Sequence, residues 1–214
     1  MHPDTVNIAS HMREFGLNVV GRAVYDATFS EMMRPFAHHL AVVHAAHAAE
    51  ILLKARIAQE HPLLIFDGLP KSKTTTGLLS VQELFEHGKT ITYFQLPELL
   101  WATTGYRLKA TAQFLEFGHL RNKIVHFAAP NIDAAGETLK FTFEVLEPML
   151  QDFWKESVVP YAEAWDDVIA SDGYLEEQLV RLNIEITPNL RAALDKKKNE
   201  WEAWQERYRE LQQQ

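Results

Sequence analysis

The chain has 214 residues and a formal net charge of −8, from 21 basic and 29 acidic side chains, and it contains no cysteine. A chain of this length fits one domain, or one domain with an appended element, and buries a core without disulfides or metals. The lack of cysteine excludes disulfides and thiolate metal sites and suits a reducing compartment. The acidic balance excludes a protein that coats nucleic acid, so any RNA contact requires a local basic cleft.

Membrane insertion is not expected. No apolar run approaches the roughly 20 residues that a membrane-spanning helix needs. The N-terminal residues Met1-His2-Pro3-Asp4 do not form a basic and apolar leader. We therefore predict a cytoplasmic protein without a membrane partner.

A first helix is predicted over residues 5–28. Apolar side chains recur there at mostly helical spacing, although Gly16 and Gly21 weaken the pattern. Ser30 is the predicted N-cap of the next helix, and Glu31 would lie in its first turn, where the helix dipole favours an anion.

The second helix is predicted over roughly residues 31–60. A stripe that we expect to face the core recurs at steps of three and four: Phe36, Leu40, Val43, His47, Ile51 and Lys54. The alanines of this helix would allow a neighbouring helix to approach closely: Ala45, Ala46, Ala48 and Ala49. Because the stripe becomes polar at His47, with Glu50 and Lys54 nearby, it could present a site toward the interior. Alternatively, His47 and Glu50 are ordinary hydrogen-bonded residues of the core or surface.

Turn residues divide the middle of the chain. Residues 63–70 form an apolar segment that turns at Gly68, and residues 71–77 form a polar loop. This loop lacks the spacing of a phosphate-binding loop, although Lys71 and Lys73 could meet an RNA backbone. Ser80 is predicted to cap a short helix that ends at Gly88.

The elements on either side of residues 117–127 are less regular. Residues 90–94 could be extended, Pro97 begins a short helix, and a further helix over 106–117 is predicted to break at Gly118. Residues 138–143 alternate strictly, which predicts either a short strand or a lead into the helix that Pro148 opens.

The C-terminal residues 176–214 are predicted to extend a domain that covers 1–175. A helix over about 157–170 ends at Ser171-Asp172-Gly173, and a final charged helix follows Pro188. That helix carries a heptad row that is too short for a stable coiled coil on its own: Leu194, Trp201, Trp204, Tyr208 and Leu211. We expect the two tryptophans to pack on this domain or on a partner subunit.

The segment 117–127 concentrates chemistry-bearing side chains. It combines Arg121, Asn122 and His126 with apolar residues that are fit for burial. The spacing Arg-x4-His occurs three times in the chain, but Pro35 interrupts the first instance and Pro62 follows the second. Only the third instance lies in an uninterrupted helical pattern with an asparagine beside the arginine.

An arginine and a histidine together suit a phosphate group. The guanidinium is a planar fork of donors that stays charged, and the imidazole titrates near neutral pH. On a helix, Asn122, His126 and His119 share one face, whereas Arg121 points about 140° away from His126. The Arg121 stem could bring the guanidinium back toward His126, or toward the histidine of a second copy.

The residues Arg121-Asn122-Lys123-Ile124-Val125-His126 resemble the Arg-Asn-x-x-x-His motif of the HEPN superfamily. The segment 45–55 is similar to the long helix that packs beside the motif helix in that family. The resemblance covers roughly residues 30–150 and implies an all-α, HEPN-like helical bundle, here with peripheral helices and a long C-terminal helix.

The resemblance also implies a function. Many HEPN domains are metal-independent ribonucleases whose motif helices face each other across a two-fold axis, so RNA and a second copy are the expected partners. By this analogy His126 would be the general acid or base, Arg121 would stabilise charge on phosphorus, and Asn122 would orient one of them. The product would be a 2′,3′-cyclic phosphate, and no cofactor is expected. The expected supporting or substrate-binding residues are His47, Glu50, Lys54, His119 and Lys123.

Two alternatives remain open from the sequence. Some HEPN relatives bind nucleic acid, nucleotides or proteins without cutting, beside an antitoxin or a nucleotidyltransferase. A metal site at His44-x-x-His47-x-x-Glu50 is disfavoured, because helical positions drift by about 60° per three-residue step. We therefore predict no metal ligands.

Overall fold

Two long antiparallel helices form the centre of the fold in a computed structural model that describes residues 7–29, 36–72, 79–165 and 172–212. Helix α1 (Ile8–Thr28) packs along α2 (Ala37–Glu60). They are antiparallel, because Asp26 lies beside His44 whereas Gly16 lies against Leu52. A side chain at Gly16 would come within 2.8 Å of Leu52, so this glycine permits the close approach.

Seven shorter helices and one final helix of 25 residues are described around this pair. In chain order they are α3 (Val81–His87), α4 (Leu96–Thr104), α5 (Thr111–Phe127), α6 (Ala134–Phe141), α7 (Glu147–Trp154), α8 (Val159–Glu163), α9 (Tyr174–Arg181) and α10 (Pro188–Gln212). The described residues contain no β-strand, only an isolated bridge between Phe66 and Thr90. The predicted all-α class is confirmed. Among the residues that the structure describes, no helix is both long and apolar enough to cross a bilayer.

The cap predicted for α3 is confirmed. The Ser80 hydroxyl accepts a hydrogen bond from the Glu83 amide at 3.1 Å, and the Glu83 carboxylate accepts one from the Ser80 amide at 3.0 Å. This reciprocal pair satisfies two backbone donors that the first turn leaves open. Gly88 follows the last residue of the helix and donates its amide hydrogen to the Leu84 carbonyl.

The predicted orientation of α2 is wrong. Phe36 and Leu40 are 62% and 52% exposed, and His47 also lies on the exposed side. The buried face is instead built from small residues and leucines: Ala41, Ala45, Ala48, Ala49, Leu52 and Leu53. The reason is that the small alanine side chains let α1 approach α2 closely. Lys54, at the end of the predicted stripe, is buried.

The break predicted at Gly118 is also wrong, because α5 continues through it to Phe127. A Cβ atom at position 118 would lie 2.5 Å from Cε1 of Tyr93. Gly118 therefore lets the Tyr93 ring lie directly against the helix backbone. The glycine serves packing rather than helix termination.

Residues 138–143 are helical, so the strand alternative is wrong and the lead into a helix is confirmed. Helix α6 passes through a π-helical turn at Thr142–Leu146 and continues into α7, which has a proline in its first turn. The Thr138 hydroxyl is satisfied within the helix by the Ala134 carbonyl at 2.8 Å. Residues 90–94 are not a strand either, since Tyr93–Gln95 forms a 3-10 turn.

The base of α10 belongs to the same hydrophobic core as the rest of the chain. Leu190 and Leu194 are buried in that core, and Arg191 pairs with Glu176 on α9 at 2.7 Å. Of the helix predicted over 157–170, the described part holds α8, which ends at Glu163, and residues 166–170 lie outside the described residues. The predicted roles of Ser30, Glu31 and Lys73 also fall outside them.

Candidate functional site

Arg121 is held at the junction of α2, α5 and the turn before α4. Its Nη2 atom lies 3.7 Å from Glu50 Oε2, and its guanidinium lies 5.9 Å from the centre of the Tyr93 ring. The Arg121 side chain nevertheless remains 29% exposed. The ion pair and the aromatic ring orient the guanidinium and leave part of it accessible to a ligand.

Glu50 joins two cations. Its Oε1 atom lies 2.6 Å from Lys54 Nζ, while Oε2 faces Arg121. Lys54 also donates to the Thr90 hydroxyl at 3.0 Å and is only 6% exposed. One carboxylate therefore balances two positive charges, and the cluster retains an excess of one.

An open cleft of about 400 Å³ lies beside this cluster. It is lined by Glu50, Thr90, Ile91, Thr92, Tyr93, Phe94, Arg121 and Asn122. Among the described residues, the Asn122 amide has no hydrogen-bond partner, so it can donate to or accept from a ligand. A guanidinium with an adjacent carboxamide is well suited to the oxygens of a phosphate or carboxylate.

Tyr93 supports the wall of the cleft. Its ring stacks on Phe114 at 4.2 Å between centroids, and its hydroxyl donates to the Phe114 carbonyl at 3.0 Å. Burial raises the pKa of Tyr93 far above its usual range. It is therefore a neutral residue that fixes the turn against α5, and it is not a candidate proton carrier.

His47 lies one helical turn before Glu50. Its ring meets the edge of the Phe15 ring at 6.1 Å, and partial burial lowers the pKa of His47, although the Glu50 carboxylate acts in the opposite direction. The charges of Lys54 and Arg121 lower it further. At neutral pH His47 is thus held in its uncharged form near the cluster.

The three other predicted residues of α5 do not line the Arg121 cleft. His126 is exposed in the last turn, and Lys123 is exposed as well. His119 is exposed beside the cleft wall, with its ring 4.8 Å from Phe94. Within one copy, Arg121 and His126 therefore lie on different surfaces of the protein.

The turn that carries Thr90, Tyr93 and Phe94 was missed as part of the site. Lys54 and Thr90 are separated by 36 residues, so no helical periodicity connects them. The available signal was the pair of adjacent aromatic residues in a short polar segment, although the same residues also fit a possible strand.

The arrangement does not resemble a metal centre. His44 points toward α1, with Nδ1 3.4 Å from Asp26 Oδ2. Burial alone would raise the pKa of Asp26, but the neighbouring His44 imidazole and the hydrogen-bonded Arg22 guanidinium hold it below its ordinary value. In the described ranges, no three carboxylate or imidazole groups come together in a way that could hold a metal ion.

The side chains at the cleft include groups that suit an anion. They are a fixed cation, a free carboxamide and a nearby neutral imidazole. No protein-family model, curated protein or solved structure matches the chain.

Proposed function

We propose that this protein is a metal-independent endoribonuclease of the HEPN type that acts as a pair of identical subunits. The observation that carries the proposal is the position of Arg121, which Glu50 orients at the rim of an open cleft with Asn122 beside it. The same helix presents His126 to solvent, free of any hydrogen-bond partner in the described part of the chain. Both groups are thus available to a phosphodiester.

A second copy is needed to bring the two groups together. Arg121 turns toward Glu50 on α2, whereas His126 lies about 140° around the helix. The tip of α5 is apolar around the histidine, because Val125 and Phe127 are 53% and 78% exposed. Packing of two such tips would bury this surface and place the His126 of one copy near the Arg121 of the other.

The proposed reaction is an internal transfer at phosphorus. One His126 accepts the proton of the ribose 2′-hydroxyl while the 2′-oxygen forms a bond to the adjacent phosphorus. The bond from phosphorus to the 5′-oxygen breaks, and the same His126 returns the proton to that oxygen. Arg121 stabilises the charge that develops on the phosphoryl oxygens, and Asn122 orients the phosphate. The products are a 2′,3′-cyclic phosphate and a 5′-hydroxyl.

The supporting residues have distinct parts in this scheme. Glu50 and Lys54 hold the guanidinium of Arg121 in position. His119 and Lys123 are exposed on the same helix and would contact the RNA strand on either side of the cleaved bond. His47 would accept a hydrogen bond at the cleft rim. The acidic net charge of −8 limits RNA contact to this region.

The proposed role is that of a cytoplasmic toxin or anti-phage defence effector. An RNA-cleaving enzyme of this kind has to be restrained by an antitoxin or another partner protein. The excess of acidic residues on the chain is suited to a basic partner.

A binding module without cleavage is the second candidate. It is favoured by the pairing of Arg121 with Glu50, because a carboxylate so close to the guanidinium reduces the positive potential of the cleft. In that case the protein would hold RNA, a nucleotide or a partner such as a nucleotidyltransferase or antitoxin.

Incubation of the purified protein with single-stranded and structured RNA in EDTA tests the proposal. Cleavage to cyclic-phosphate ends is expected, and it should be abolished in Arg121→Ala and His126→Ala. Arg181→Ala and His87→Ala are the matched controls, since His87 also occupies the last turn of a helix. RNA that is bound but stays intact would favour the binding module, and full activity of either motif variant would reject the mechanism.

A further inference from the structure

The last twelve described residues of α10, 201–212, carry a row of apolar side chains away from the body of the protein. Trp201 stacks on Trp204 with 4.9 Å between ring centroids, and Trp204 stacks on Tyr208 at 5.3 Å. Trp204, Tyr208 and Leu211 are 47%, 50% and 70% exposed. The same helix is buried at its base, where Leu194 joins the core.

Much of this row is open to solvent. Most helix stability in proteins comes from packing an apolar face, so the row is suited to a helical partner. Residues 201–212 extend for roughly 18 Å at 1.5 Å per residue. The heptad spacing of Trp201, Trp204, Tyr208 and Leu211 matches a seam for a second helix.

A groove of about 530 Å³ lies where such a helix would reach the body. It is lined by Pro160, Glu163, Ala164, Lys197, Glu200, Trp201 and Trp204. Lys197 is paired with Glu163 at 3.3 Å and with Glu200 at 2.9 Å. Its charge is therefore balanced, and the groove offers apolar walls with a neutralised cation at its centre.

We propose that the occupant is the α10 helix of a second copy of this chain, packed antiparallel. In this arrangement Trp201 of each copy lies opposite Trp204 of the other. The same register sets Lys197 opposite Tyr208 of the second copy. The second copy's tyrosine then enters the groove, and the ammonium group of Lys197 faces an aromatic ring.

The charges beside the row favour this orientation. Glu200 and Arg207 each precede a seam residue, so they lie on the same edge of the helix. In an antiparallel pair this edge faces itself, and the two-fold symmetry forms the contact between Glu200 and Arg207 twice. A parallel pair would instead set Glu200 against Gln205. Arg207 has no ion pair within the described residues, so it is available for the contact.

The inference does not depend on the proposed ribonuclease activity. The groove shares no lining residue with the cleft of Arg121. Loss of pairing through α10 and loss of RNA cleavage are therefore separate outcomes.

Sedimentation equilibrium of charge-reversed full-length chains tests the proposal. Glu200→Arg and Arg207→Glu should each raise the dissociation constant about tenfold or more, because both symmetric contacts become repulsive. An equimolar mixture of the two variants should recover the wild-type association, since each contact then joins opposite charges. Trp204→Ala should weaken association with unchanged helix content by circular dichroism. No association of the wild type through this face, or no recovery in the mixture, overturns the proposal.

The antiparallel orientation of the two α10 helices is tested by a distance between spin labels. Because the chain has no cysteine, Gln212→Cys gives one spin label per copy. The antiparallel register separates the two labels by roughly 30 Å, whereas parallel pairing would bring them within about 15 Å. The longer distance is expected, and the shorter one excludes the antiparallel arrangement.

Discussion

Arg121 on α5 and Glu50 on α2 lie 3.7 Å apart, and the same carboxylate lies 2.6 Å from the buried Lys54. This contact ties the motif helix to the central helix pair. It also means that the residue proposed to bind phosphate is oriented by a side chain located 71 positions earlier in the chain. We therefore expect changes in this cluster to affect both stability and the proposed RNA cleavage.

Replacement of the bridging carboxylate should destabilise the protein. Glu50→Gln removes the negative charge that balances the buried Lys54 ammonium, so the free energy of unfolding should fall by about 2 kcal/mol. The matched control is Glu60→Gln, which breaks the more exposed ion pair with Arg56 and should cost less than about 0.5 kcal/mol. Urea denaturation measures both. Equal losses in the two variants would contradict a special role for Glu50.

The pH dependence of stability should contain a contribution from His47. Because its pKa is lowered in the folded protein, the unfolded chain binds more protons as the pH falls through about 6.5, the ordinary value for histidine. The stability that His47 contributes is therefore complete above that pH and is lost below it. Unfolding measured between pH 5 and 8 should give a flatter profile for His47→Gln than for the wild type. Identical slopes would show that His47 titrates alike in both states.

Substitution of Gly118 should disturb the cleft through Tyr93. Alanine favours a helix over glycine by about 1 kcal/mol, but its Cβ would lie 2.5 Å from the Tyr93 ring. That ring is stacked on Phe114 and has little room to move. Gly118→Ala should therefore lower stability by about 1 kcal/mol and weaken RNA binding. Gly68→Ala is the control, since its Cβ meets no atom within 4 Å. A stabilised Gly118 variant would refute this packing account.

The orientation of α2 gives a further prediction. Ala48→Leu adds volume to a fully buried position and should destabilise the protein by about 1–3 kcal/mol, whereas Leu40→Gln at an exposed position should change stability by less than about 0.5 kcal/mol. Thermal unfolding compares the two. The reverse order of effects would restore the orientation expected from the hydrophobic stripe.

Features that depend on neighbouring residues were predicted correctly more often than features that depend on contacts between distant parts of the chain. The cap at Ser80 is local, so the limits of α3 follow from a few neighbouring residues. The face of α2 is not local, because its alanines are buried only through the close approach of α1 at Gly16. Gly118 was misinterpreted for the same reason: the ring that it accommodates lies 25 residues away in the chain.

In the candidate site, too, the helical residues were predicted and the residues of the irregular turn were not. Arg121, Asn122 and Glu50 were predicted to belong to the site, and all three line the cleft. Helical spacing also predicted that Arg121 and His126 diverge. The contribution of Thr90 and Tyr93 depends on the path of an irregular turn, which periodicity does not encode.

The most direct test of the composite site is RNA cleavage by mixed variants. Arg121→Ala and His126→Ala should each be inactive alone. If the two residues act across copies, an equimolar mixture should recover about a quarter of the wild-type rate, because half of the randomly formed pairs contain one intact site of two. A mixture as inactive as its components, with exchange of copies verified, would contradict the account.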